Sequence, residues 1–153
     1  MSDAAPAATS AVRTALGPNG AFAQQIPGYQ PREPQIAMAE AVEQALSARS
    51  LLLVEAGTGT GKTYAYLVPA ILSGKKAIVS TGTRNLQDQL FHRDLPMVRK
   101  LLGRPVRTAL LKGRSNYLCP YRLQQHLDEG EFESKQIVHD LHRVAAWAGK
   151  TEQ

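Results

Sequence analysis

The chain has 153 residues, of which 43% are hydrophobic and 20% are charged, and its formal net charge is +5. One cysteine excludes an internal disulfide, no apolar run approaches the ~18 residues of a membrane span, and the N-terminus lacks the pattern of a secretory signal. A cytoplasmic protein is therefore expected. The positive charge favours a polyanionic partner, nucleic acid first and an anionic membrane second, although a solvated basic surface would explain it equally well.

The N-terminal segment, residues 1–25, is rich in alanine and includes prolines and glycines. Few of its residues could contribute to a hydrophobic core, so we expect a flexible tail with at most a short helix over residues 11–16. Ordered structure is expected to begin at Tyr29–Pro34, where two prolines fix an extended backbone. Apolar residues then recur with helical spacing, which predicts a helix from Pro34 to about Ala48.

Three short apolar runs are typical of strands buried in a parallel sheet, at residues 51–54, 77–80 and 106–111. Helices are predicted after the first two runs, at residues 62–72, 84–91 and 95–102. This alternation predicts an α/β fold, with a parallel sheet and flanking helices. After Gly113 the alternation stops, and two further helices are predicted at residues 121–127 and 134–148.

The most specific motif follows the first predicted strand and opens a predicted helix: Ala56, Gly57, Thr58, Gly59, Thr60, Gly61, Lys62 and Thr63. This is the context of a Walker A loop, in which glycines let backbone N–H groups point at phosphate oxygens and the helix N-terminus adds its dipole. Lys62 is expected to reach the β- and γ-phosphates and Thr63 to bind Mg²⁺, so both are predicted catalytic residues. A Gly/Thr turn without a ligand is the alternative, and the strand–loop–helix context argues against it.

Upstream of this loop, Tyr29, Arg32 and Gln35 resemble the Q-motif that precedes the P-loop of helicases. A glutamine amide can donate and accept together, which matches the adenine edge, and Tyr29 could stack on the base. The chain has no Asn-Lys-x-Asp sequence of the kind that reads guanine. ATP is therefore the predicted nucleotide, unless Gln35 only lies on an exposed helix face and Tyr29 only packs.

A second pair of motifs indicates contact with DNA. Thr81, Thr83, Arg84 and Gln89 match the start and end of helicase motif Ia, Thr-x-Thr-x-x-Leu-x-x-Gln, which holds the backbone of single-stranded DNA. Simple N-capping of the helix by a threonine is a compatible alternative. Further along, Lys112-Gly113-Arg114-Ser115-Asn116-Tyr117-Leu118-Cys119 resembles the segment that opens the iron–sulfur domain of DinG/YoaA/XPD-type superfamily 2 DNA helicases.

With these motifs in order, the resemblance to that helicase family covers about residues 29–125, and its YoaA-like members are the most similar. It implies the N-terminal part of a RecA-like ATP-binding domain over residues 26–112 and the start of an iron–sulfur domain over residues 113–153. It also implies ATP, Mg²⁺ and single-stranded DNA as ligands, DNA contacts from Lys112 and Arg114, a monomer, and 5′-to-3′ unwinding in repair or replication stress.

The same resemblance implies that Cys119 is one of four ligands of a [4Fe–4S] cluster, although one thiolate cannot hold such a cluster. Zinc is an alternative metal, but the downstream histidines, including His139 and His142, do not have a zinc-finger spacing. The only Asp–Glu pair, Asp128–Glu129, follows polar residues rather than a buried strand, so a solvated acidic turn is expected there instead of a Walker B motif.

Without a water-positioning acid or an arginine finger, we expect a fragment that binds ATP weakly and does not unwind DNA. A non-catalytic nucleotide- or DNA-binding module is the alternative function. A different P-loop enzyme, such as a small-molecule kinase, would leave motif Ia and residues 112–119 unexplained.

Overall fold

The computed structural model describes residues 10–130 and 132–151. The chain divides into two compact units at Thr108 and Ala109. The predicted boundary, between residues 112 and 113, lies four residues later. The identity of the second unit as the start of an iron–sulfur domain stays a prediction.

The described part of the first unit is helical. Its α-helices are α1 (Ala11–Leu16), α2 (Ala21–Gln25), α3 (Glu33–Ala48), α4 (Lys62–Leu72), α5 (Arg84–Gln89) and α6 (Leu95–Leu102). The predicted helices over residues 34–48, 62–72 and 95–102 are confirmed. The helix predicted over residues 84–91 ends at Gln89, and a π-helical turn (Leu90–Asp94) joins α5 directly to α6.

The N-terminal helices correct the expected flexible tail. Val12, Leu16 and Phe22 have no solvent-exposed surface and belong to the same apolar cluster as Val68 of α4 and Val98 of α6. The first two are four residues apart, so they lie on one face of α1 and both point into the core. Residues 10–25 are therefore part of the packed domain, and residues 1–9 lie outside the described residues.

Polar contacts fasten α1 to α3 at the edge of this core. Arg13 donates hydrogen bonds to both carboxylate oxygens of Glu40, at 2.7 and 2.8 Å, and pairs with Glu33 at 2.7 Å. The hydroxyl of Ser10 donates to Glu43 at 2.6 Å. The hydrogen bond from Arg13 holds the pKa of Glu40 below its ordinary value. One face of α3 thus presents three carboxylates to the start of α1.

The predicted sheet is not confirmed. Residues 51–54, 77–80 and 106–111 form no strand, and the described residues contain none elsewhere. Side chains expected in a sheet core are open to solvent, with Leu51 103%, Leu53 99% and Ile78 95% exposed. A strand is stabilised by ladder hydrogen bonds and side-chain pairs with a neighbour, which an apolar run alone does not provide. The three strands therefore stay a prediction.

The second unit contains a 3₁₀ turn (Arg114–Asn116) and two helices, α7 (Pro120–Glu129) and α8 (Lys135–Ala148). The predicted helices are confirmed with slightly different ends. Asp128 and Glu129 form the last turn of α7 instead of a loop, and each accepts a hydrogen bond from the glutamine four residues before it. None of the described helices in either unit is long and apolar enough to cross a membrane.

Because Phe22 is fully buried and its ring contacts Tyr29 and Tyr64, we expect Phe22→Ala to lower the free energy of unfolding by about 3–5 kcal/mol. Urea denaturation followed by circular dichroism would measure the change. Gln30→Ala, at an exposed position outside the helices, is the control and should unfold at the wild-type midpoint. Equal midpoints for wild type and Phe22→Ala would show that residues 10–25 are a tail after all.

Candidate nucleotide-binding site

The Walker A motif runs from a loop into α4, and Gly61 is the residue immediately before the helix. Gly59 and Gly61 have φ angles of +76° and +81°, in the left-handed region that disfavours residues with a Cβ. Lys62 and Thr63 are the first two residues of the helix, where backbone N–H groups have no partner within the helix and favour an anion. Two left-handed glycines and a helix start are thus features expected of the predicted phosphate loop.

Lys62 folds back over its own loop. Its Nζ donates to the carbonyl oxygens of Ala56 at 2.9 Å and Gly57 at 2.7 Å. The hydroxyl of Thr60 donates to the same Gly57 carbonyl at 3.0 Å. The ammonium group is thus placed inside the curl of the loop, while the side chain stays exposed at the surface. A triphosphate that enters the loop would meet this charge directly.

Residues at the start of α3 donate hydrogen bonds to the part of the loop next to α4. Gln35 Nε2 donates to the carbonyl of Gly61 at 3.0 Å, and Arg32 donates to the carbonyl of Gly59. A Cβ placed on Gly61 would lie 2.0 Å from Gln35 Nε2, so the loop and the glutamine are in direct contact. The structure therefore brings two of the predicted Q-motif residues onto the predicted phosphate loop.

Tyr29, the third predicted Q-motif residue, lies behind Gln35. Its hydroxyl donates to the carbonyl of Leu16 at 2.9 Å and lies 3.3 Å from Gln35 Oε1. Burial raises the pKa of Tyr29, so the hydroxyl stays protonated and remains a donor at neutral pH. Its ring is 5.8 Å from that of Phe22, which faces Tyr64 on α4 at 5.4 Å.

Gln35 is not on an exposed helix face, since it is only 4% exposed. Both ends of its amide already have protein partners. An adenine contact would use the second amide hydrogen or the second lone pair of the oxygen.

Leu16 and Phe22, which lie behind this glutamine, were not predicted from the sequence as site residues. The i, i+4 spacing of Val12 and Leu16 is the pattern that could have indicated a packed helix.

The motif Ia residues surround the start of α5. Thr83 caps the helix, its hydroxyl accepting from the N–H of Leu86 at 3.2 Å, and the Thr81 hydroxyl donates to the Thr83 carbonyl at 3.3 Å. Arg84 is exposed in the first turn. The expected N-cap is therefore present, and an exposed cation lies beside it.

Gln89, at the end of α5, is directed at an acid that sequence reasoning did not single out. Its Nε2 donates to Asp94 Oδ2 at 3.0 Å, and Arg93 Nε pairs with Oδ1 at 3.2 Å. Asp94 is 2% exposed and lies in the π-helical turn. The glutamine predicted to contact DNA is thus also a partner of a buried carboxylate.

The remaining predicted site residues lie in the second unit. The backbone N–H of Lys112 donates to the Tyr117 hydroxyl at 3.0 Å, Arg114 is exposed at the 3₁₀ turn, and Cys119 is an exposed free thiol at the start of α7. No group of three or more His, Cys, Asp or Glu side chains among the described residues could hold a metal ion. The residues present do not fit a [4Fe–4S] cluster, which needs four ligands.

Comparison with known proteins shows which family has this arrangement of motifs. The DEAD/DEAH box helicase model matches residues 36–140. The ATP-dependent DNA helicases YoaA of Haemophilus influenzae and Escherichia coli are 51% and 54% identical, over 88% and 89% of this chain. The protein named 3′-5′ exonuclease DinG in Bacillus subtilis is 39% identical over 88% of the chain.

The chain spans about a fifth of the length of these relatives, 21% of each YoaA protein and 15% of the DinG protein. No solved structure matches the chain. The helicase model covers well over half of the 153 residues, and its matched region includes the Walker A loop, motif Ia and Cys119. The chain therefore belongs to the DEAD/DEAH box helicase family and, within it, to the DinG/YoaA type, as the motifs predicted.

Proposed function

We propose that this chain supplies the phosphate-binding half of the ATP site of a DNA helicase. The observation that carries the proposal is the placement of Lys62 Nζ within 2.7–2.9 Å of two loop carbonyls, at the N-terminus of α4. Phosphate oxygens are stronger acceptors for an ammonium group than neutral carbonyls, because the hydrogen bond is then between two charges. ATP would therefore replace Ala56 and Gly57 as partners of Lys62.

Mg²⁺ and adenine complete the proposed ligand. Thr63 follows Lys62 in the first turn of α4, where a hydroxyl can reach a cation bound between the phosphates. The base is proposed to lie near Tyr29, Arg32 and Gln35, which contact the same loop. Because Gln35 already has two protein partners, we assign the adenine contact as its second role beside holding Gly61.

We further propose that the chain binds single-stranded DNA through its basic residues. Thr81, Thr83 and the exposed Arg84 form one candidate surface in the first unit, and Lys112 with Arg114 form another in the second unit. The relatives named as ATP-dependent DNA helicases support this proposal. We also propose movement in the 5′-to-3′ direction and a role in repair, which the family resemblance implies, and a cytoplasmic location, which the single cysteine favours.

Lys62→Ala tests the phosphate site. Loss of a charge-assisted contact to phosphate is expected to weaken ATP–Mg²⁺ binding at least about tenfold, measured by titration with a fluorescent ATP analogue. Lys76→Ala removes the same charge from an exposed position outside the loop and should bind like the wild type. Equal affinity of Lys62→Ala and Lys76→Ala would refute the proposal.

Gly61→Ala tests the geometry of the loop. A Cβ at φ +81° and 2.0 Å from Gln35 Nε2 must displace the glutamine or the loop, so both ATP affinity and thermal stability should fall. The left-handed backbone alone costs about 1–2 kcal/mol for a residue with a Cβ. Gly57→Ala meets no atom within 4 Å and no left-handed φ, so its melting temperature should stay at the wild-type value.

Arg84→Ala tests DNA contact at α5. If Arg84 neutralises one phosphate, the slope of log K against log salt for a single-stranded oligonucleotide should become shallower by about 0.7. Fluorescence anisotropy over a series of salt concentrations measures the slope. Arg104→Ala, at an exposed position beyond α6, removes the same charge and should keep the wild-type slope. A slope unchanged by Arg84→Ala would exclude this residue from the DNA surface.

A further inference from the structure

We propose that the N-terminal helices α1 and α2 position the phosphate loop, through a side-chain relay that runs from Leu16 by way of Tyr29 and Gln35 to Gly61. In this relay Tyr29 and Gln35 are positioning residues, and Leu16 contributes its backbone carbonyl. The inference rests on the proposed function, since it assigns the positioning of the same nucleotide site to a segment outside the motifs.

The first step of the relay is the anchoring of α1 and α2. Val12, Leu16 and Phe22 are fully buried. Arg13 adds hydrogen bonds to Glu40 at 2.7 and 2.8 Å. A carbonyl at the end of such a helix has a fixed place and lacks a partner within the helix, because the last four carbonyls of a helix receive no intrahelical bond. The Leu16 carbonyl is therefore a rigid acceptor facing the next segment of the chain.

Tyr29 is the second step. Its single hydroxyl hydrogen is directed mainly at the Leu16 carbonyl, 2.9 Å away, and Gln35 Oε1 is a longer second acceptor at 3.3 Å. The Phe22 ring, 5.8 Å away and tilted by 49°, fixes the tyrosine ring from the side. Tyr29 is thus held by α1 through its hydroxyl and by α2 through its ring.

Gln35 is the third step, and it ends on the loop. Its oxygen faces Tyr29, which orients the amide so that Nε2 donates to the Gly61 carbonyl at 3.0 Å. The same carbonyl accepts the N–H groups of Tyr64 and Ala65 in the first turn of α4, at 3.1 and 3.2 Å. The orientation of this one peptide group therefore sets the direction of the N–H groups offered to phosphate.

A direct contact runs parallel to the relay. The Phe22 ring meets the edge of Tyr64 with centroids 5.4 Å apart, and Tyr64 is the third residue of α4. Helix α2 therefore contacts the first turn of the phosphate helix as well as Tyr29. Both routes begin in residues 10–25 and both end at the junction of the loop with α4.

Hydrogen–deuterium exchange of the ligand-free 153-residue chain tests the relay without nucleotide. Tyr29→Phe keeps the ring and removes the hydroxyl, so the amides of Tyr64 and Ala65, which donate to the Gly61 carbonyl, should exchange about fivefold faster, the equivalent of one neutral hydrogen bond. Tyr66→Phe is the control, because its hydroxyl has no hydrogen-bond partner among the described residues, and it should leave this exchange unchanged. Unchanged exchange in Tyr29→Phe overturns the inference.

Nucleotide binding then separates positioning of the loop from recognition of the base. For a positioning role, Tyr29→Phe should weaken ATP, GTP and inorganic triphosphate by the same factor, since all three use the loop. A loss confined to ATP would show an adenine contact and overturn the inference. If the wild type binds none of the three, the proposed function fails, and the exchange experiment alone still supports or overturns the relay.

Discussion

The carbonyl of Gly61 is the constraint on which the arrangement of the site depends. Glycines let the phosphate loop curl, but the same freedom makes the curled form entropically costly to hold. The structure offsets this cost with three donors on one oxygen, Gln35 Nε2 from α3 and the N–H groups of Tyr64 and Ala65 from α4. The loop is therefore held at its junction with α4, and the glycines before that junction remain free to adapt to a ligand.

The motifs could be predicted from the sequence because they are local. Walker A, the Q-motif and motif Ia are each contained within about ten residues, and the helices at 33–48 and 62–72 follow from spacing and end signals in the same windows. The packing of α1 and α2 could not be inferred from composition, because an alanine-rich segment contributes to a core through two or three well-placed residues. Here those residues are Val12, Leu16 and Phe22, whose partners lie in distant helices.

The predicted strands are not confirmed, for a related physical reason. An apolar run such as Leu51–Val54 has the composition of a buried strand, yet a strand becomes stable only when a second chain segment supplies its ladder hydrogen bonds. A helix satisfies its backbone within one segment, which explains why the helices match their predicted positions while the sheet is absent from the described residues. The hydrogen bond from Gln35 to Gly61 also joins residues far apart in the sequence. For Gln35 the sequence predicted a contact with adenine and did not predict this contact within the protein.

The hydrogen bond from Gln89 to Asp94 limits the DNA contact that the sequence predicts for Gln89. Asp94 is buried, and a buried carboxylate that loses a hydrogen-bond donor costs about 1–3 kcal/mol or more. Gln89 can keep its bond to Asp94 and still offer its second amide hydrogen, but a DNA phosphate placed there would lie near another anion. Arg84 has no such conflict, because it is an exposed cation at the opposite end of α5. Electrostatics therefore favours the start of α5 over Gln89 for the proposed contact with a phosphate backbone, and Gln89 keeps its hydrogen bond to Asp94 in the π-helical turn.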